Sequence, residues 1–347
     1  MKARKYCFCL ICVLLSLSVC SCRFEPMISP IAPDTTAVSE ESTADHADAT
    51  LPRFTVQFDE NEKFSTEAEQ KAALRIDPAI QKAVALLNTV DMTLPQVHDC
   101  DYTTRPTQRD SLKHTLSVEI YDTILKKVSA FEPYHFSEKD YPSVDFFSIF
   151  VSAQDALRID HTELFLYCDG DMNGTEYSSG YFMPGDGLNR LCDDMDAIRN
   201  EVAVCDAVAA RILEKMPVGL TDAEKCCYFT FVLSAGVQYD YSEEYPKYDY
   251  QAYGALVKGT AVCSGYAQAF YRLCRDAGIS CWYCRGTVPD GRHAWNMLDT
   301  ESGPVYIDVT WYDTEKLDSH YLDGKEQYLF MTQEEFDNFG YVQETSQ

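Results

Sequence analysis

Apolar positions recur every three or four residues through several stretches of the chain, and each stretch predicts a helix. Thr66–Asn88 carries Ala72, Ala73, Ile76, Ile80, Ala83, Val84 and Leu87 at that spacing, with Pro78 expected to split it in two. Leu112–Phe131 and Met195–Met216 repeat the pattern. Thr221 followed by Glu224 is a capping box that opens a helix running to about Ala235. After Gly259 and Thr260, Cys263 precedes Ala267, Phe270, Cys274 and Ala277, a helix that Gly278 should stop.

Other stretches are aromatic and β-branched. Phe146–Val151 and Glu163–Cys168 read as short strands. Ile279–Val288, His293–Leu298 and Val305–Trp311 read as three successive strands, separated by Pro289-Asp290-Gly291 and Glu301-Ser302-Gly303 turns. The fold class is α+β. A helix-rich region over 54–216 with mixed helix and strand and no catalytic pattern precedes a helix packed on an antiparallel sheet over 217–347.

The start of the chain follows neither pattern. Lys2, Arg4 and Lys5 precede an apolar run from Tyr6 to Val19, shorter than the span of about 20 residues that crosses a bilayer. This predicts a secretory signal over 1–22. Ser21-Cys22 resembles the site at which bacterial lipoproteins are cleaved and acylated, so Cys22 is the expected lipidation site, with the body of the protein extracytoplasmic and held to the membrane only by that anchor. Residues 23–53, rich in Pro, Ser, Thr, Ala and acid, read as a flexible tether.

Charge narrows the function classes. Against 29 basic residues stand 55 acidic ones, a net charge of −26, which repels nucleic-acid phosphates and anionic lipid. Nucleic acid is therefore not an expected partner. Five of the 15 cysteines fall in the signal region, and if Cys263 stays free the remaining nine cannot all pair within one chain.

Two metal motifs fail on chemistry. Asp169-Gly170-Asp171-Met172-Asn173-Gly174 opens like a calcium loop but has Gly180 where the bidentate acid belongs, so a polar turn is the better account. Cys281 and Cys284 have a zinc-knuckle gap but face opposite sides of a strand and lack a second pair. No metal or cofactor is expected. The tyrosine-rich loop 239–253 reads as an exposed loop whose rings pack on one another, with a groove rim as the alternative.

Cys263 at a helix start carries more. Free N–H groups and the positive end of the helix dipole stabilise a thiolate and can receive an oxyanion, and Gly265 leaves room for substrate to approach the backbone. In the expected hairpin His293 lies opposite Asp308, its centre falling between residues 300 and 301, so both side chains share a face. Thiol, imidazole and carboxylate then supply nucleophile, base and orienting acid for acyl transfer. Trp295 shares the His293 face and could shield the pair or line a groove, and Tyr253 is a possible oxyanion donor.

The text around these residues, AYGALVKGTAVCSGYAQAFYRL, GRHAWNML and YIDVTWYD, resembles the three blocks of the transglutaminase-like superfamily in its secreted bacterial branch. The likeness spans about 217–340, with Tyr312 standing where the family pattern has an acidic residue. It implies a papain-like core with Cys263 as nucleophile, His293 as base and Asp308 as orienting acid, acting on protein or peptide amides through a thioester without a cofactor. Water as acceptor, giving a cysteine peptidase or amidase, and a peptide-binding module without catalysis are the alternatives.

Overall fold

The computed structural model describes residues 52–59, 61–105, 107–161, 167–168, 172–173, 175–178, 180–182, 191–192, 195–242, 247–313 and 326–344. The signal reading over 1–22, Cys22 and nearly all of the 23–53 tether lie outside these residues, as does most of the Asp169–Gly174 turn.

Eight helices are described: α1 (Glu67–Leu87), α2 (Thr115–Ser129), α3 (Phe146–Asp160), α4 (Met195–Glu214), α5 (Asp222–Gly236), α6 (Cys263–Asp276), α7 (Val309–Tyr312) and α8 (Gln333–Asn338). Pro78 does not split α1. The carbonyl that it orphans belongs to Leu74, which is 72 % exposed, so water can take the place of the lost donor. The strand expected at Phe146–Val151 is the first part of α3. Asp145 caps that helix by accepting Ser148 N–H, and Phe146, Phe150, Ala153 and Leu157 continue a buried helical stripe beyond the six residues that looked extended.

Between α2 and α4, short strands β1 (His135–Ser137), β2 (Tyr167–Cys168), β3 (Met172–Asn173), β4 (Glu176–Ser178), β5 (Gly180–Phe182) and β6 (Leu191–Cys192) form two small sheets, ordered β1-β4-β3 and β2-β5-β6. Further on, β7 (Gln238–Tyr239) pairs in parallel with β8 (Thr260–Ala261). The main sheet is antiparallel and ordered β11-β10-β9-β12, from β9 (Cys281–Val288), β10 (Gly291–Thr300), β11 (Gly303–Ile307) and β12 (Val342–Gln343).

Helix α5 explains how the two parts of the chain hold together. Apart from Lys225 it is buried from Ala223 to Leu233, as expected of a helix with apolar residues on all sides from Cys226 onward, and it packs against both α1 and α6. The capping box at Thr221 forms as the sequence predicts, with Glu224 Oε2 accepting Thr221 N–H at 2.8 Å. Arg75 on α1 reaches across to the carbonyls of Gly236 and Leu256, tying α1 to the end of α5 and to the turn before β8. Residues 97–102 run beside the start of the main sheet, where Cys100 N–H donates to Gly278 O at 2.7 Å and Tyr102 O–H to Ile279 O at 2.7 Å. One apolar core therefore extends from Phe54 to Tyr341.

The observed hairpin differs from the expected one by a single step. Asn296 pairs with Ile307 and Thr300 with Gly303, so the centre falls between residues 301 and 302. Strand β11 stops at Ile307, and Asp308 to Tyr312 turn into α7 instead of continuing the strand.

Candidate active site

Helix α6 begins at Cys263, and the residue before it gives that helix start its character. Val262 occupies the N-cap position with no side-chain acceptor, where Ser, Thr, Asn or Asp would normally satisfy a backbone donor. The positive end of α6 is therefore left for whatever approaches the thiol. The first turn is held from outside the helix: Val262 N–H donates to Asp249 O at 2.9 Å, and Ser264 O–H donates to Tyr250 O at 2.8 Å. The space that Gly265 provides goes to this loop and not to substrate. A Cβ there would lie 2.3 Å from Asp249 O and 2.9 Å from Ala261 Cβ.

Cys263 is 1 % exposed and sits in a small cluster with Ala267 and Ala294, against which Tyr283 packs. Ala294 is the chain neighbour of His293, so α6 meets β10 one residue along the strand from His293. Asn296, two positions on, locks that contact by donating from Nδ2 to Ala267 O at 3.0 Å and to Trp282 O at 3.3 Å.

His293 Nε2 lies 2.6 Å from Asp308 Oδ2, with both side chains fully buried. The changed register does not part them, because moving the hairpin centre by one residue shifts the pairing by two and leaves every side chain on its original face. Asp308 becomes a diagonal neighbour of His293 rather than a direct one. Its carboxylate has two further donors. Tyr341 O–H reaches Oδ2 at 2.6 Å, and Trp311 N–H reaches Oδ1 at 3.0 Å, so the same residue caps α7. Burial beside this carboxylate holds the Tyr341 phenol well above its ordinary range, and it stays a neutral donor.

Aromatic rings enclose the imidazole. Trp311, Trp295 and Tyr341 have centroids 5.4, 6.2 and 6.2 Å from it. Trp295 is fully buried and packs edge-on against Tyr341 and Phe336, so it is a wall behind the His293/Asp308 pair and not a groove residue. Tyr253 does not serve Cys263 either: it is fully buried and its hydroxyl is given to Glu201 on α4. The tyrosine-rich loop packs partly on itself, with Tyr239 4.8 Å from Tyr241 and Tyr248 6.4 Å from Tyr253.

Two residues that the sequence did not single out complete the site. Tyr341 comes from the C-terminal end of the chain, with no local pattern to mark it. Tyr283 packs against the cluster that holds Cys263, and its hydroxyl lies 3.0 Å from Ser264 Oγ. The single Ser264 proton goes to Tyr250 O, so Tyr283 is the donor in this pair. Burial raises the Tyr283 phenol above its ordinary value and keeps that proton in place.

Behind the helix start lies a second acid. Asp249 is 1 % exposed, accepts Thr260 O–H at 2.9 Å and lies within hydrogen-bonding reach of Asp240. Burial, reinforced by the neighbouring carboxyl, pushes Asp249 up to about 7. Cys205 and Cys284 are core thiols, and burial, reinforced by neighbouring acidic groups and Cys281 respectively, drives them up to about 12.

Residues 207–315 match the family model described as the transglutaminase-like superfamily. The matched segment runs from within α4 to just past α7 and contains Cys263, His293 and Asp308. No curated protein matches the chain.

Proposed function

We propose, from the match of residues 207–315 to the transglutaminase-like superfamily, which supports cysteine-based acyl transfer or hydrolysis, that the chain is a thiol acyltransferase acting on peptide or side-chain amides. The observation that carries this reading is the His293–Asp308 pair, buried and hydrogen-bonded at 2.6 Å, one residue along β10 from the alanine that touches Cys263.

The proton path follows from which nitrogen is taken. Asp308 holds Nε2 at the tip of the ring, so Nδ1, nearer the backbone, is the nitrogen that serves the thiol. As imidazolium it stabilises the Cys263 thiolate at the uncapped end of α6. The thiolate attacks the amide carbonyl, and backbone N–H groups of the first turn of α6 receive the oxyanion. His293 then gives its proton to the departing amine. A thioester remains on Cys263, and an incoming amine or water takes the acyl group as His293 removes its proton. Cys263 is buried, so substrate has to gain access past its surroundings, of which Tyr283 is the partly exposed ring packed against the cluster.

The acceptor distinguishes transferase from hydrolase. Incubation with a glutamine peptide and excess primary amine is expected to give the amine-linked product, detected by mass. Release of the free acid alone under those conditions would identify a cysteine peptidase or amidase. No thioester adduct and no turnover with any peptide would leave a binding module. The signal and Cys22 reading adds that the enzyme works outside the cytoplasm on a lipid anchor, tested by labelled palmitate incorporation that Cys22→Ser abolishes.

A further inference from the structure

Two cavities lie between the N-terminal region and strand β9. The larger, about 490 Å³, runs from Asp155 on α3 to Arg285 and Met297. The smaller, about 180 Å³, is lined by Tyr102, Arg105, Tyr271 and Arg275. Gln108, Ile159, Trp282 and Tyr283 border both, so the cavities meet there. Together they reach the size of sites that take small ligands and peptide side chains. Tyr283 also packs against the cluster of Cys263, Ala267 and Ala294, so the groove wall and the surroundings of the sulfur share this side chain.

The charge of the smaller cavity selects its occupant. The Arg105 guanidinium lies 3.8 Å from the Trp282 ring centroid and 5.1 Å from that of Tyr102, and it donates to the Cys281 carbonyl. Among the described residues no carboxylate pairs with it. Arg275 adds a second guanidinium to the cavity wall, itself paired with one Asp276 oxygen at 3.3 Å while Arg272 binds the other at 2.6 Å, so Arg105 is the group that sets the cavity's preference. Asp160 lines the same cavity, but its oxygens already accept Gln108 N–H at 2.8 Å, Arg109 N–H at 3.0 Å and Tyr121 O–H at 2.9 Å. On a chain with a net charge of −26, a stacked guanidinium with no acid of its own is a local exception. Such a group is suited to a ligand carboxylate, which it can bind through two parallel N–H donors.

We propose that the two cavities form one peptide groove leading to Cys263, in which Arg105 receives a carboxylate, so that the acyl donor is an acidic peptide. This assignment rests on the reading of Cys263 as nucleophile and gives the region before residue 162 a role in choosing substrate. Arg105 acts here by binding and takes no part in the chemistry.

The test uses the full chain with Cys263→Ala, which binds without turnover, and two fluorescent peptides read by anisotropy: acetyl-Gln-Ala-Glu-Glu as free acid, and acetyl-Gln-Ala-Gln-Gln amide. The acid is expected to bind at least ten-fold more tightly, and Arg105→Gln to remove the difference. Because Arg105 also holds a backbone carbonyl, Gln108→Glu provides a second variant that adds an acid at the junction and is expected to remove the difference as well. Equal binding of both peptides to the unaltered groove, or an acid preference that survives both substitutions, overturns the proposal. Alkylation of Cys263 in the wild-type chain is read in parallel. A reactive thiol without acid preference sinks the groove alone, and an inert thiol with the preference intact sinks the catalytic reading alone.

Discussion

One carboxylate oxygen of Asp308 holds His293 Nε2 while the other holds the backbone N–H of Trp311, so a single side chain both orients the imidazole and starts α7. The two tasks can be separated by substitution. Asp308→Asn keeps a good N-cap but removes the charge that steadies an imidazolium, so turnover should fall by about two to four orders of magnitude with little change in urea stability. Asp308→Ala also strands the Tyr341 hydroxyl and the ring nitrogen, and should cost about 1–3 kcal/mol for each buried group left unpaired. Kinetics beside urea titrations check this, and an Asn variant as active as the parent would remove Asp308 from the mechanism.

Gly265 makes the opposite case to the usual rule for helices. Replacing a helical glycine by alanine normally stabilises by up to about 1 kcal/mol. Here the new methyl group would lie 2.3 Å from Asp249 O, and the loop that anchors Val262 would have to move. Gly265→Ala is expected to destabilise by about 1–3 kcal/mol and to slow Cys263 alkylation. A variant more stable than the parent would show that the loop yields freely.

The buried Asp249 gives a pH dependence of definite sign. Its folded value of about 7 lies above the unfolded carboxyl value of about 3.9. Between these the folded state alone keeps the proton, so the contribution is whole below about 4 and is lost as pH rises to about 7, by at most about 1.4 kcal/mol per pH unit. Asp249→Asn keeps an acceptor for Thr260 and cannot titrate. Urea unfolding from pH 4.5 to 7.5 should show the wild type losing stability relative to Asp249→Asn. Parallel curves would contradict the assignment.

Much of this site is legible in the sequence because its parts are local. Cys263 follows a Gly-Thr approach to a helical stripe, and the strand of His293 is joined by a two-residue turn to the strand that ends just before Asp308. The pairing lay two residues from the expected one, an error that the two-residue period of a strand forgives. Phe146–Val151 misled because a six-residue run with five apolar positions fits strand or helix alike, and only the stripe continuing to Leu157 decides. Tyr341, Tyr283 and Arg105 were out of reach for a different reason. Each acts through contacts between segments far apart in the chain, and nothing in their own neighbourhoods announces a partner.

Activation of the Cys263 thiol by His293 would show in the pH dependence of its alkylation. Iodoacetamide, with modification at Cys263 followed by peptide mass, should label the wild-type chain rapidly below pH 7, where an ordinary thiol with a value of about 8.5 is largely protonated. His293→Ala should move the rate profile up toward that ordinary value. Identical profiles for the two proteins would contradict the account.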